Sequence, residues 1–210
     1  GATGPNEMML PALSDLPRYG GEHRRLLGRC GLHDPEDIHQ AIALGVYAGV
    51  PRALELGPEG VIAALRDSGL RGMGGAGFPT WRKWELCRQS PETTRYLICN
   101  ADEGDPGAFM DRTILESDPH AVLEGMLIAG LTIGARRGFV YVRNEYPRAV
   151  ARMRCAVEQA RGSGILGDDV LGSGASFDIE VFEGAGAFVC GEETALIASI
   201  EGYRGTARVR

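Results

Sequence analysis

Between Gly69 and Trp84 the chain places Gly72, Gly74, Gly75 and Gly77 within six residues and follows them with Phe78 and Lys83. A loop so short of Cβ atoms can take positive φ and lay its N–H groups flat against a phosphate or a ring. Gly72, Gly74 and Gly77 also fit G-x-G-x-x-G, but that spacing marks a dinucleotide fold only between a strand and a helix. Here Val61, Ile62 and Leu65 predict a helix running into the glycines, and Pro79 interrupts the far side, so an ordinary Rossmann fingerprint is disfavoured. Two later stretches carry further polar chemistry. Asn100, Asp102, Glu103 and Asp105 follow an apolar strand directly, in the crevice where open α/β sheets bind ligands. Phe188, Gly191, Glu192 and Glu193 follow another strand and open a helix, whose N-terminus attracts an anion or a carbonyl oxygen. No metal site is expected: His23, His33 and His39 lack ligand spacing and read as surface residues.

Taken together and in this order, the three stretches resemble the flavin and NADH site of the complex I flavoprotein family. That family holds the NADH-binding subunit of respiratory complex I and the diaphorase subunits of NAD-reducing hydrogenases and NAD-dependent formate dehydrogenases. The resemblance runs from about Leu26 to Arg210. It implies FMN and NAD(H) as cofactors, hydride transfer between nicotinamide C4 and flavin N5, and single-electron passage onward to iron–sulfur clusters. No side chain then serves as a catalytic acid or base, because the cofactors carry the chemistry, although Asp105 and Glu103 lie close by.

By the same resemblance, Gly72, Gly74, Gly75 and Gly77 wrap the flavin, Lys83 sets a cation near its ring, and Phe78 stacks on the adenine of NADH. Asn100 and Asp102 hold the ribityl chain or ring edge, with Glu103 beside them. Gly191 and Glu192 present the helix N-terminus, and Glu193 accepts from ribose hydroxyls and repels a 2′-phosphate, which favours NAD over NADP. Arg210 falls at a basic position near NADH. Asp105 stands where complex I carries glutamate, Phe188 where it carries tyrosine and Met73 where it carries arginine, differences that lean toward the hydrogenase or formate dehydrogenase branch. The 4Fe-4S cluster of the family is expected in a C-terminal region beyond this chain or in a partner. The implied partners are iron–sulfur subunits and hydrogenase or formate dehydrogenase subunits. A second reading is a truncated, catalytically incomplete fragment that keeps the fold and docks on partners; a third is a flavin-free Rossmann dehydrogenase, disfavoured by the helix before the glycines.

Composition sets the frame for these elements. The 210 residues, 44% hydrophobic and 24% charged, are those of an ordinary globular protein. A net charge of −6 argues against nucleic acid or an anionic membrane surface as partner. No apolar run reaches the ~18–20 residues of a membrane span; the longest, Ala121 to Ala135, is broken by Glu124 and glycines and predicts a buried helix. Gly1 to Met9 has no signal-peptide character, so the protein is expected in the cytoplasm, at most peripheral to a membrane through its partners. Cys30, Cys87, Cys99, Cys155 and Cys190 contain no C-x-x-C and read as reduced, mostly buried thiols, with Cys99 and Cys190 nearest the ligand stretches.

Residues 1–21 predict an irregular leader, Glu22 to Cys30 a short basic helix, and Asp34-Pro35-Glu36-Asp37 a helix start capped by Asp34 and ending near Gly45. A helix follows from Pro58, another covers Thr80 to Arg88, and strands cover 96–99, 139–142 and 177–183. Helices alternate with them, from Asp118-Pro119, over Pro147 to Arg161 and over Gly191 to Ile200. The fold class is therefore α/β, a Rossmann-like layered sheet with flanking helices and a small helical N-terminal appendage. Residues 1–57 form that leader and appendage, and 58–210 the FMN/NADH-binding domain.

Overall fold

Three parallel strands, β1 (Tyr96–Ala101), β2 (Arg137–Arg143) and β3 (Asp178–Gly184), pair in the order β1-β2-β3. This computed structural model describes residues 23–105 and 107–208, and it is the α/β layer that the alternating pattern predicts. Helices α1 (Ile38–Ala43), α2 (Gly49–Ser68) and α3 (Thr80–Gln89) precede the sheet. Between the first two strands run α4 (Met110–Ser117) and α5 (Pro119–Ile133); α6 (Pro147–Gly162) links β2 to β3, and α7 (Glu193–Ile200) follows β3. Each crossover carries a helix because parallel strands cannot be joined by a tight turn.

Alternation along the strands divides the sheet into two faces. Val140, Val142 and Ile179 point into one core with Leu123 and Leu127 of α5 and Met153 and Val157 of α6. Phe177, just before β3, closes that core, seated between Gly130 of α5 and Gly138 of β2; a Cβ at either glycine would run into its ring. The opposite face carries Tyr141, Ile98 and Phe182 beneath Leu196 of α7 and Cys190. Tyr141 stacks on Phe182 and shares a 2.9 Å hydrogen bond with Ser199. Burial with the Cys190 contact pushes the Tyr141 hydroxyl up to about 12. Ile38 of α1, Val46 and Tyr47 of the turn that follows it and Val50 of α2 belong to the same core as α5 and α6.

Several local expectations are corrected. Asp37, not Asp34, caps α1, accepting from the His39 and Gln40 amides, while Asp34 closes a turn onto Glu36. Residues 25–31 make successive turns rather than a helix. His33 is buried rather than superficial, its Nε2 3.9 Å from Asp118. Asp118 leaves its helix end uncapped because its carboxylate takes Arg29 at 2.9 Å. Of the cysteines only Cys30 and Cys190 are buried; the others are half-buried. Gly57, at φ +65, kinks α2 just before Pro58, the helix start read from the sequence. Among the described residues no helix is long and apolar enough to cross a membrane.

Candidate functional site

The helix α2 ends at Gly69 in the left-handed conformation, φ +66, and the chain turns at once into the glycine loop. Its neck is pinned by Gly72 N–H to the Phe78 carbonyl (2.9 Å) and Thr80 N–H to the Leu70 carbonyl (3.1 Å), with Arg71 reaching the Gly77 carbonyl (3.0 Å). Only Gly75 (φ +105) and Gly77 (φ +61) need glycine for their backbone conformation. Gly74 has an ordinary φ, and a Cβ there would meet no atom within 4 Å. The amides of Gly74, Gly75 and Ala76 donate to no other described residue.

This loop forms one wall of a cleft of about 1130 Å³ at the C-terminal ends of the strands. The turn after β1 supplies Asn100, Asp102, Glu103, Gly104 and Asp105; the segment after β3 supplies Phe188, Gly191 and Glu192; Gly74 and Gly75 face them. Nine of the sequence-predicted residues thus meet in one place. Lys83 of α3 and Glu193 of α7 line an adjoining depression, with Asn100 on the wall between the two. Gly72 sits in the neck of the loop, Gly77 beside it, and Phe78, 46% exposed, lines neither space. Arg210 lies outside the described residues.

The carboxylates of the cleft have different occupations. Glu103 accepts from the amides of Met110, Asp111 and Arg112 at 2.8–3.1 Å and so caps α4 from seven residues upstream. Glu192 is the N-cap of α7, accepting from the Thr194 and Ala195 amides at 2.9 and 3.1 Å and from the Thr194 hydroxyl. Asn100 braces the two segments, its amide donating to the Gly191 carbonyl (3.0 Å) and its oxygen accepting from Asp102 N–H (3.1 Å). Asp102 is the exception. Its side chain is wholly buried, neither oxygen has a hydrogen-bond partner among the described residues, and Arg143 Nη1 lies 3.5 Å from Oδ1. Burial pushes its pKa above the usual carboxylate range, with Arg143 opposing and Glu145 assisting. Burial also raises Asp111, helped by Glu103.

Phe188 packs over Gly104, where a Cβ would come within 2.8 Å of the ring. Phe188 is 69% exposed and Phe109, which also lines the cleft, 66%. Phe109, Asp111 and Arg143 were not singled out from the sequence. The signal for Arg143 was its place at the carboxyl end of a strand; Phe109 and Asp111 begin a helix that carries no local capping residue. Cys99 packs against the core, and burial pushes its thiol up to about 11, which keeps it protonated at neutral pH. No group of three or more His, Cys, Asp and Glu among the described residues is arranged to hold a metal.

A parallel sheet with a roomy cleft at its carboxyl edge, walled by a glycine loop whose tip amides donate to no other described residue, defines an α/β nucleotide-cofactor domain. The chain belongs to the Nuo51 FMN-binding domain family, whose pattern matches residues 65–210. It is 54% identical over 176 residues to the NADP-reducing hydrogenase subunit HndC of Solidesulfovibrio fructosivorans, covering 84% of this chain and 36% of that protein. It is 46% identical over 197 residues to an NADH-quinone oxidoreductase subunit of Aquifex aeolicus, covering 93% of this chain and 46% of that one. Among solved structures, an NAD+-reducing [NiFe]-hydrogenase in the H2-reduced state superposes with a TM-score of 0.74 at 39% identity, over 90% of this chain and 30% of that one. The chain therefore spans less than half the length of these relatives.

Proposed function

We propose that the protein is the FMN-binding part of an NAD(P)H:acceptor oxidoreductase, a diaphorase module that works within a multi-subunit redox complex. The observation that carries this reading is the cleft itself, which is lined together by two glycines of the loop, a buried carboxylate without a hydrogen-bond partner among the described residues and two exposed aromatic rings. Its volume of about 1130 Å³ exceeds the roughly 300–1,000 Å³ that encloses one drug-sized molecule, which suits two ring systems side by side.

The residues present fit FMN. The amides of Gly74 and Gly75, which line the cleft, would donate to phosphate or flavin oxygens, and Asp102 would accept from a ribityl hydroxyl or ring N–H. Bound there, FMN supplies exchange of a hydride with nicotinamide and of single electrons with iron–sulfur centres. The chain's own part is to hold and orient. Phe188 and Phe109 offer ring faces that exclude water, Glu103 and Asn100 keep the two walls in register, and Lys83 and Glu193 flank the adjoining depression where the nicotinamide nucleotide would extend. Residues 58–210 act as the binding unit, with the N-terminal helices as an appendage sealing one side of its core. Partner subunits, as in the relatives' complexes, would take the electrons.

The test is spectroscopic. The purified chain is mixed with FMN, desalted, and titrated with NADH and then NADPH under anaerobic conditions. A retained flavin band that bleaches with a nicotinamide is expected; a chain that folds yet retains no flavin would remove the cofactor reading and leave a docking fragment.

A further inference from the structure

Arg143 ends β2, and its guanidinium reaches the segments that follow all three strands at once. Nη2 donates to the Gly186 carbonyl at 2.6 Å and to Glu145 at 2.7 Å; Nη1 lies 3.5 Å from Asp102 Oδ1. The same nitrogen would sit 3.0 Å from a Cβ at Gly104, and a Cβ at Gly186 would strike the Glu145 carboxylate. The arginine thus touches both the loop after β1 and the loop after β3, the two segments that supply the strand-end walls of the cleft. Its side chain is 12% exposed and that of Asp102 wholly buried, so their charges act on each other with little solvent between them.

We propose that Arg143 is a positioning residue of this cleft: it ties the two strand-end loops together and keeps Asp102 a carboxylate, turned as an acceptor toward the bound ligand. The inference rests on the reading that the cleft takes FMN. The need for such a residue follows from the energetics. A carboxylate without hydrogen bonds pays heavily for burial and would otherwise be neutral. A protonated Asp102 would offer an O–H donor where the ligand needs an acceptor. The groups facing the pair are few. Glu145 adds negative charge from the turn after β2, Tyr141 and Tyr146 present hydroxyl groups nearby, Glu103 and Asp111 lie across the first loop, and Glu192 stands on the α7 side. Arg143 is the cation that opposes Asp102 protonation.

FMN affinity, read by flavin fluorescence quenching across pH, tests this. In the wild type an acidic limb is expected, with binding lost as pH falls and Asp102 protonates, and D102N should remove it. Arg143→Gln should move the limb to higher pH by about one to three units, the effect of losing a close opposite charge. At a pH between the two limbs it should bind at least about tenfold more weakly. Arg143→Lys, which keeps the charge but not the planar fork, should keep its limb near that of the wild type. Glu145→Gln changes a half-exposed surface side chain and should move the limb downward, which keeps the test available should R143Q fail to fold. A limb that stays in place in both Arg143→Gln and Glu145→Gln, or that persists in D102N, overturns the proposal. Failure of the wild type to bind FMN at any pH overturns the cofactor reading and this inference with it.

Discussion

Val140, Val142 and Ile179 meet Leu123, Leu127 and Met153 on one face of the sheet, and all six are closed to water. At the carboxyl ends of the same strands Phe109 and Phe188 stand two-thirds exposed, while both Asp102 oxygens and Arg143 Nη1 are buried without hydrogen-bond partners. The first region obeys the ordinary rules of a folded core, apolar inside and close-packed. The second breaks them in both directions, with apolar rings outside and a charge inside. Such breaks persist where a ligand, rather than the fold, completes the site. The difference predicts that substitutions in the two regions separate stability from binding.

The largest effect belongs to the core. Phe177 is fully buried between Gly130 and Gly138, and truncating it leaves a cavity that two packed backbones cannot close. Phe177→Ala should cost about 3–5 kcal/mol in urea unfolding. FMN affinity, measured where the variant is still folded, should stay near the wild-type value. A core variant that lost FMN while remaining folded would erase the proposed separation.

The glycine loop should behave in the opposite way. Gly74 has an ordinary φ and open space around it, so Gly74→Val should change stability by no more than about 0.5 kcal/mol. It should weaken FMN binding by about ten- to a hundredfold, or about 1.4–2.8 kcal/mol, by filling the space through which the loop amides reach their ligand. Equal FMN affinity in G74V would place the ligand elsewhere.

Asp102→Asn joins the two behaviours in one residue. Burial holds the carboxyl of Asp102 above its unfolded range, so its contribution to stability is fully present below the unfolded value and is lost as pH rises through the folded one. Above its folded-state pKa the wild type carries a buried charge at a cost, and the neutral amide should raise Tm there while lowering FMN affinity. At a pH low enough to protonate the wild-type residue, the Tm difference should vanish. A variant less stable than wild type at every pH would show that the carboxylate, not a ligand, serves the fold.

Much of this was legible in the sequence, for reasons the two regions make plain. The core announces itself by period: the apolar runs at 96–99 and 139–142 became β1 and β2, lengthened by polar ends that the ladder recruits. Pro147 and Pro119 open the helices they were expected to open. Motif positions around the cleft could be read because glycines and acids clustered after strands are uncommon. Their partners could not. The cap of α4 comes from Glu103, seven residues back, so no local pattern marks that helix. Glu192 and Asn100, read as ligand contacts, are also engaged in holding the walls. Arg143 looks from the sequence like any strand-end arginine, and only the meeting of loops from β1 and β3 gives it a role. Charge partnership across about forty residues is tertiary information, absent from any spacing.

The smallest expected effect concerns choice of nicotinamide. Glu193 is exposed at the start of α7 and lines the adjoining depression with Lys83, so side chains of both signs border it. The relatives divide as well: one is named for reducing NADP and another for oxidising NADH. Repulsion by a solvent-exposed carboxylate is weakened by water and salt, and a cation in the same depression weakens it further. Glu193→Gln should therefore raise the NADPH to NADH ratio of flavin reduction rates only about three- to tenfold, under about 1.4 kcal/mol. The gain should shrink as ionic strength rises from 0.01 to 0.15 M, because the screening length falls from about 30 to about 8 Å. Lys83→Gln should move the ratio the other way. If both leave it unchanged, discrimination does not lie in this depression; if Glu193→Gln shifts it more than a hundredfold and independently of salt, the carboxylate contacts the nucleotide directly in a site closed to water rather than acting across solvent.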